Sequence, residues 1–218
     1  MFTGIVEECG EVESFVRSGE GRRLTVRCGF ASDNVATGDS VAVDGCCLTV
    51  VEHGGGRLAF DLLEESVRRT RFGTFAGGEG VNLERSVTLG GKMGGHIVTG
   101  HIDTTGTVES IERKGADIRM AFRHDADYSR YVVEKGSIAI NGVSLTVGGC
   151  GEGTFFVWLI PHTLEVTNLG ALGEGSAVNL EFDIVAKHLE KLALPYIAAS
   201  GGGAPGAGDA GENPLPQD

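Results

Sequence analysis

The sequence predicts a mainly β protein: two tandem Greek-key antiparallel barrels of six strands each, related by internal duplication, then a C-terminal α-helix. Three observations lead there. "SVAVDGCCLTV" at 40–50 recurs as "SIAINGVSLTV" at 137–147, a shift of 97 (from 40 to 137). Short β-branched and apolar runs follow one another at close intervals. Glycine is over-represented, at 36 of 218 residues, which suits short strands joined by tight turns.

The repeat extends well beyond one motif. The same shift aligns "GVNLER" (80–85) with "AVNLEF" (177–182), and "LLEESVRRTRFG" (62–73) with "LIPHTLEVTNLG" (159–170). Near the start, "CGEVES" (9–14) matches "TGTVES" (105–110) at a shift of 96 (from 9 to 105). One offset held through separate blocks marks a duplicated unit. The expected domains are residues 1–93 and 94–184, each a barrel, with a helix at 185–199 and a disordered tail at 200–218.

Within the first unit, "RRLTVRC" (22–28), "SVAV" (40–43), "CCLTVVE" (46–52), "RLAFDLL" (57–63) and "GVNLER" (80–85) read as strands. Asp44-Gly45 and Asn141-Gly142 are turn-forming pairs, and "HGGGR" (53–57) reads as a hairpin loop. Closing the sheet removes exposed edges. In "FDIVAKHLEKLALPYIAAS" (182–200), Val185, Leu189, Leu192 and Tyr196 fall at helical spacing, and Pro195 discourages the helix from running much further. The Gly/Pro-rich stretch beyond has almost nothing to bury.

A formal net charge of −12 argues against a nucleic-acid or anionic-membrane surface, because phosphate binding needs excess Lys and Arg. No apolar run approaches the roughly 20 residues that cross a bilayer. The opening "MFTGIVEECGEV" has no basic stretch followed by an apolar run, so no secretory signal is expected. The five cysteines, Cys9, Cys28, Cys46, Cys47 and Cys150, are odd in number and lack paired spacing. They read as reduced thiols of a cytoplasmic protein.

Adjacent cysteines on a strand point to opposite faces, so a strain-free Cys46–Cys47 bridge is not expected. The second copy decodes the faces. Val143, Leu145 and Val147 form an apolar set, and Ser144 and Thr146 a polar one. Cys46 thus stands for a valine, as a small core hydrophobe. Cys47 stands for Ser144, two residues before a threonine in each copy. Those polar pairs are either two related sites or an ordinary exposed face.

"GGKMGGHIVTGHID" (90–103) opens the second unit, and there His101 replaces Ile5. An imidazole exchanges protons near neutral pH; alternatively His101 is hydrogen-bonded at a domain junction. His96 and His101, five apart without thiolate or carboxylate spacing, make a poor zinc site. No P-loop, dinucleotide fingerprint or nucleophile elbow is present. Glu64 and Glu65, opposite Pro161 and His162 in the repeat, read as solvated loop charges.

Together "MFTGIVEE", "GCCLTV", "GGHIVTGHID", "NGVSLTV" and "LIPHTLEVTNLG" resemble the α-type riboflavin synthase family, through nearly all of 1–200. The resemblance implies transfer of a four-carbon unit between two molecules of 6,7-dimethyl-8-ribityllumazine, giving riboflavin and a ribitylamino pyrimidinedione. It implies no cofactor and no metal. Two identical substrates call for two similar pockets, with proximity lowering the barrier. A homotrimer is implied, the first barrel of one subunit facing the second of its neighbour, with the terminal helix as the contact; packing on its own domain is the alternative.

Carried over by position, Gly4, Ile5 and Val6 with Ser40, Cys47, Leu48 and Thr49 would line the first pocket. Asp61, Leu62, Leu63, Glu64, Glu65 and Ser66 would complete it. The second would use Gly100, His101, Ile102, Ser144, Leu145 and Thr146, then Ile160, Pro161, His162, Thr163, Leu164 and Glu165. Lys135 would reach substrate across the interface, and Phe2 would order the site. His101, Ser144 and Thr146 are the implied proton-transfer and holding groups, and Cys47 either adds to the ring or positions it. Some family members have Asp where this chain has Asn141, and an amide is no base. The same scaffold also serves non-catalytic lumazine- or flavin-binding antenna proteins, in which one pocket is degraded.

Overall fold

The computed structural model describes residues 1–30 and 34–200. Twelve strands form two closed antiparallel barrels. The first contains β1 (Glu8–Ser18), β2 (Gly21–Arg27), β3 (Ser40–Val43), β4 (Cys46–Gly54), β5 (Arg57–Leu62) and β6 (Gly80–Arg85), in the order β1-β2-β5-β4-β3-β6. The second contains β7 (Thr104–Lys114), β8 (Asp117–Arg123), β9 (Ser137–Ile140), β10 (Val143–Gly151), β11 (Thr154–Leu159) and β12 (Ala177–Phe182), in the matching cyclic order. Both barrels lie within one compact unit, Met1–Ile184.

Local chemistry sets the hairpins. Asp44 and Gly45 take φ of 46° and 78°, and Asn141 and Gly142 45° and 77°. Positive φ at both central residues is the I′ pattern, whose twist suits a two-residue hairpin. The two turns also touch: a Cβ on Gly45 would lie 2.7 Å from the Gly142 nitrogen. That contact lies where the two copies meet.

Each barrel has its own apolar core. Leu24, Val41, Val43, Leu58, Phe60, Val81 and Leu83 are fully buried in the first; Phe122, Ile140, Val147, Val157, Leu159, Val178 and Leu180 in the second. Fully burying such side chains is worth about 1.5–3 kcal/mol each. A third, small cluster of Phe2, Ala42, Val98 and Ala139, with Cys47 against it, sits between the copies.

Among the described residues there are also two short α-helices and one longer one. Helix α1 (Glu64–Arg69) and its counterpart α2 (Pro161–Val166) each follow the fifth strand of their barrel. Glu64 and Glu65 therefore open a helix rather than a loop, where acids complement the dipole. Glu65 pairs with Arg68 at 2.8 Å and Arg69 at 2.7 Å. Helix α3 (Ile184–Ser200) runs through Pro195 and extends one residue beyond the expected 185–199 at each end. A proline removes one hydrogen bond, and the alanines after it are strong helix formers that continue the turn. Val185, Leu189, Leu192 and Tyr196 on this helix are exposed. Residues 201–218 of the expected disordered tail lie outside the described residues.

Candidate functional site

Strand alternation divides the two cysteines. Cys46, Leu48 and Val50 point into the first core, while Cys47 is half-buried and Thr49 exposed on the outer face. In β10, Val143 and Val147 are core, Leu145 packs against it, Ser144 is half-buried and Thr146 exposed. Across each hairpin, Ser40 stands opposite Thr49 and Ala42 opposite Cys47; Ser137 stands opposite Thr146 and Ala139 opposite Ser144. Each barrel thus offers one small polar patch. Burial pushes the Cys46 thiol up to about 12, so at neutral pH it is no nucleophile. All five cysteines are unbridged.

What covers each patch comes from the other copy. The Cys47 amide donates to the Gly100 carbonyl at 2.8 Å, and the Ser144 amide to the Gly4 carbonyl at 2.7 Å. Phe2 and Val98 form an antiparallel bridge, with amide–carbonyl distances of 2.8 and 3.1 Å. From it the two segments diverge, Ile102 packing on the first core and Val6 on the second. The expected groupings are therefore exchanged. Gly4 joins Ser144, and Gly100 joins Cys47, because the bridge carries each leading segment onto the opposite barrel.

The close approach requires glycine. Gly4 has φ +76° and a Cβ there would lie 2.6 Å from that of Ser144; Gly100 has φ +85° and its Cβ would lie 2.5 Å from that of Cys47. A buried carboxylate anchors each segment. Glu84 accepts from Thr3 N at 2.7 Å, Thr3 Oγ1 at 2.8 Å and Gly4 N at 3.0 Å. Glu181 accepts from Thr99 N at 2.6 Å, Thr99 Oγ1 at 2.8 Å and Gly100 N at 2.9 Å. Burial raises Glu84 above the ordinary carboxylate range, and the Thr3 and Gly4 donors oppose that rise. Sequence reasoning missed both acids. The available signal was a glutamate repeated at the same offset inside "NLER" and "NLEF".

The two patches differ in their histidines. Ser144 Oγ lies 2.7 Å from His96 Nδ1, whereas the described residues give His101 no hydrogen-bond partner and leave it exposed. Phe2, expected among the catalytic groups, is fully buried against Val98, Ala42 and Ala139. It shapes the junction and meets no solvent.

Other expected residues spread more widely. The Leu48 and Leu62 side chains belong to the first core, so the outer face meets only their backbone. Asp61 holds Arg23 in a fork at 2.8 and 2.9 Å. That hydrogen-bonded guanidinium lowers its pKa. Leu63, Glu64 and Glu65 are exposed and Ser66 is half-buried; Ile160, Pro161, His162 and Glu165 are exposed, with Thr163 and Leu164 half-buried. Lys135 is exposed with φ 66°, a conformation costly for a residue with a Cβ. Its repeat counterpart is Gly38, at φ 97°; their amides donate to Val147 and Val50 respectively. A cavity of about 660 Å³ beside β3 and β6 is lined by Thr3, Ile5, Ser40, Glu84, Arg85 and Lys92, among others. Its volume suits a small ligand, and Ser40 connects it to the Thr49 face. Among the described residues no cluster of His, Cys, Asp or Glu could hold a metal ion, and no helix is long and apolar enough to cross a membrane.

The lumazine binding domain family matches this chain twice, over residues 3–86 and 99–183. Riboflavin synthase of Mycobacterium tuberculosis (strain ATCC 25618 / H37Rv) is 46% identical over 198 residues, covering 88% of this chain and 98% of its own. That of Actinobacillus pleuropneumoniae is 41% identical over 194 residues, with coverages of 89% and 90%. LumP complexed with riboflavin superposes with a TM-score of 0.78 at 28% identity, over 84% of this chain and 99% of that one. LumP complexed with 6,7-dimethyl-8-(1'-D-ribityl) lumazine gives 0.75, at 28% identity over 83% and 98%. With two matched domains that coincide with two barrels, and relatives this similar over most of their length, the chain belongs to the lumazine-binding riboflavin synthase family.

Proposed function

We propose that this protein is a riboflavin synthase: it moves a four-carbon unit between two molecules of 6,7-dimethyl-8-ribityllumazine, yielding riboflavin and 5-amino-6-(D-ribitylamino)uracil. The observation that carries the reading is the pair of matched outer patches, Cys47 with Thr49 and Ser144 with Thr146, each closed by a segment of the other copy. A reaction between two identical molecules needs two similar cradles, and fixing both partners in register lowers the entropic barrier.

Each patch takes one lumazine. Cys47, Thr49 and Ser40 with Gly100 and His101 hold one ring; Ser144 and Thr146 with Gly4 and Ile5 hold the other. The 61–66 and 160–165 segments border them. The C7 methyl of the lumazine is acidic because its carbanion delocalises into the ring, so a weak base is enough. Neither metal nor cofactor is required.

Bond formation brings the two rings face to face, and here a homotrimer does so, pairing the first barrel of one subunit with the second barrel of its neighbour. The exposed Val185, Leu189, Leu192 and Tyr196 of α3 form the subunit contact, and Lys135 reaches across from its strained turn. The protein works in the cytoplasm, as its free thiols suit.

A second reading, a lumazine- or flavin-carrying protein without turnover, is favoured by the likeness to LumP. Incubation of the purified protein with the lumazine alone separates them. Growth of riboflavin absorbance at half the rate of lumazine loss supports the synthase; tight binding without product overturns it in favour of the carrier.

A further inference from the structure

We infer that His96 is the positioning residue of the second patch, holding the Ser144 hydroxyl and taking its proton, so that only this half of the duplicated site carries a proton relay. The inference rests on the proposed substrate contact of Ser144.

The geometry is specific. His96 Nδ1 lies 2.7 Å from Ser144 Oγ, and Nε2 is buried without a hydrogen-bond partner. The serine therefore holds the only anchored nitrogen of the ring. The His96 amide also donates to the Thr3 carbonyl at 3.1 Å. Gly95 permits this approach: a Cβ there would lie 2.1 Å from the Thr3 carbonyl oxygen and 2.9 Å from Ser144 Oγ. The imidazole is thus hydrogen-bonded to the Ser144 hydroxyl while its own backbone is tied to Thr3.

The duplication locates the relay in the segment that leads into the second copy. Val98, Thr99 and Gly100 correspond to Phe2, Thr3 and Gly4. Among the described residues no imidazole is hydrogen-bonded to Cys47, whereas the stretch between the copies brings one to Ser144.

Burial lowers His96 below its ordinary value, with the Asp183 carboxylate acting in the opposite direction. The ring is then neutral near pH 7 and able to accept a proton. Asp183 is the charged group acting on the ring, and Glu84 lies behind the Thr3–Gly4 backbone. In the relay a C7-methyl C–H bond of the bound lumazine breaks, and its electron pair passes into the heterocycle. The proton goes to Ser144 Oγ as the hydroxyl's own proton moves to His96 Nδ1. The imidazolium and the lumazine carbanion balance in charge, and the proton returns by the same path.

His96→Asn tests this, because an amide nitrogen or oxygen placed near Nδ1 keeps a hydrogen bond to Ser144 but does not titrate. Wild type, His96→Asn, Ser144→Ala and the double variant are compared for riboflavin formation across pH 5–9, after gel filtration and melting show which are folded. Expected are a kcat loss of roughly 100-fold in His96→Asn, within the range of acid–base contributions, and a KM within about threefold. The acidic limb of the wild-type kcat profile should vanish, and the double variant should be no slower than Ser144→Ala, since groups acting as one unit are non-additive. A His96→Asn enzyme with wild-type kcat and an intact acidic limb overturns the relay. If that variant does not fold, Ser144→Ala decides: losing the acidic limb supports the relay, keeping it overturns it. Wild-type protein that makes no riboflavin defeats the synthase reading instead, a separate result.

Discussion

Asn82 and Asn168 exchange hydrogen bonds across the junction of the two barrels: Asn82 Nδ2 donates to Asn168 Oδ1 at 2.9 Å, and the Asn168 amide donates to Asn82 Oδ1 at 2.7 Å. Around them the repeat is reproduced in polar contacts. Asn82 N donates to Asp44 Oδ1 at 2.9 Å, and Asn179 N to Asn141 Oδ1 at 2.8 Å. Asn82 Nδ2 reaches the Asn141 carbonyl at 2.9 Å, and Asn179 Nδ2 the Asp44 carbonyl at 3.0 Å. Within this network the symmetry is broken by an ion pair, Arg71 with the fully buried Asp44 at 2.6 Å, where the second copy has Asn168 and Asn141.

That break can be tested by making the halves alike. Asp44→Asn leaves Arg71 nearly buried without its anion, and removing one partner of a buried pair costs about 3–5 kcal/mol. Replacing both, Asp44→Asn with Arg71→Asn, copies the second half into the first. Chemical denaturation should show a large loss for the single variant and recovery of most of it in the double. A double variant as unstable as the single would mean that the ion pair itself, rather than the amide pattern, locks the barrels together.

Cys46 is the thiol counterpart of Val143, and its side chain is buried in the first core. Cys46→Val should leave stability within about 1.5 kcal/mol, as near-isosteric apolar swaps do, and leave activity intact. Loss of activity in a folded Cys46→Val protein would reassign the chemistry from Cys47 to its neighbour.

Gly100→Ala places a methyl 2.5 Å from the Cys47 Cβ and 2.9 Å from the Phe2 ring, at φ +85°. Backbone strain and overpacking each cost about 1–3 kcal/mol. Melting should fall by several degrees and ligand binding at the first patch should be lost, with Gly4→Ala doing the same at the Ser144 patch. Separate loss of one ligand equivalent in each variant is the expected readout by calorimetry. Unaltered binding in both would contradict the crossed arrangement.

The acid side of the stability curve carries a signature of His96. Its folded pKa lies below the ordinary 6.5 because burial disfavours the charged ring. A depressed folded value means stability that is present above the unfolded pKa and lost as pH falls through the folded one. Asp44 and Glu84 are raised by burial, so their contributions run oppositely, being lost as pH rises through their folded values. Comparing wild type with His96→Asn cancels them. The wild-type denaturation midpoint should fall more steeply between pH 7 and pH 5 than that of the variant; equal slopes would place the ring in solvent.

Much of this architecture was legible because the duplication states it twice. Val143, Leu145 and Val147 decode which face of β4 is core, and Asp44-Gly45 with Asn141-Gly142 fix two hairpins from turn chemistry alone. The crossing was not legible. Periodicity assigns Gly4 and Gly100 a conformation but no partner, and the Phe2–Val98 bridge that exchanges them spans 96 residues (from 2 to 98). His96 was read only against metal spacing, since nothing in "GGHIVTGH" reveals that Ser144 lies beside it. What Glu84 and Glu181 anchor was not legible either, because the backbone amides they accept from arrive from distant segments.

The most direct measurement is the number of ligands one chain holds. A ribityllumazine lacking the C7 methyl cannot form the carbanion and so reports binding without turnover. Titrated by calorimetry into the intact protein, it should saturate at two equivalents per chain, one for the Cys47 patch and one for the Ser144 patch. Saturation at a single equivalent, with both patches intact, would contradict the paired cradles on which the chemistry depends.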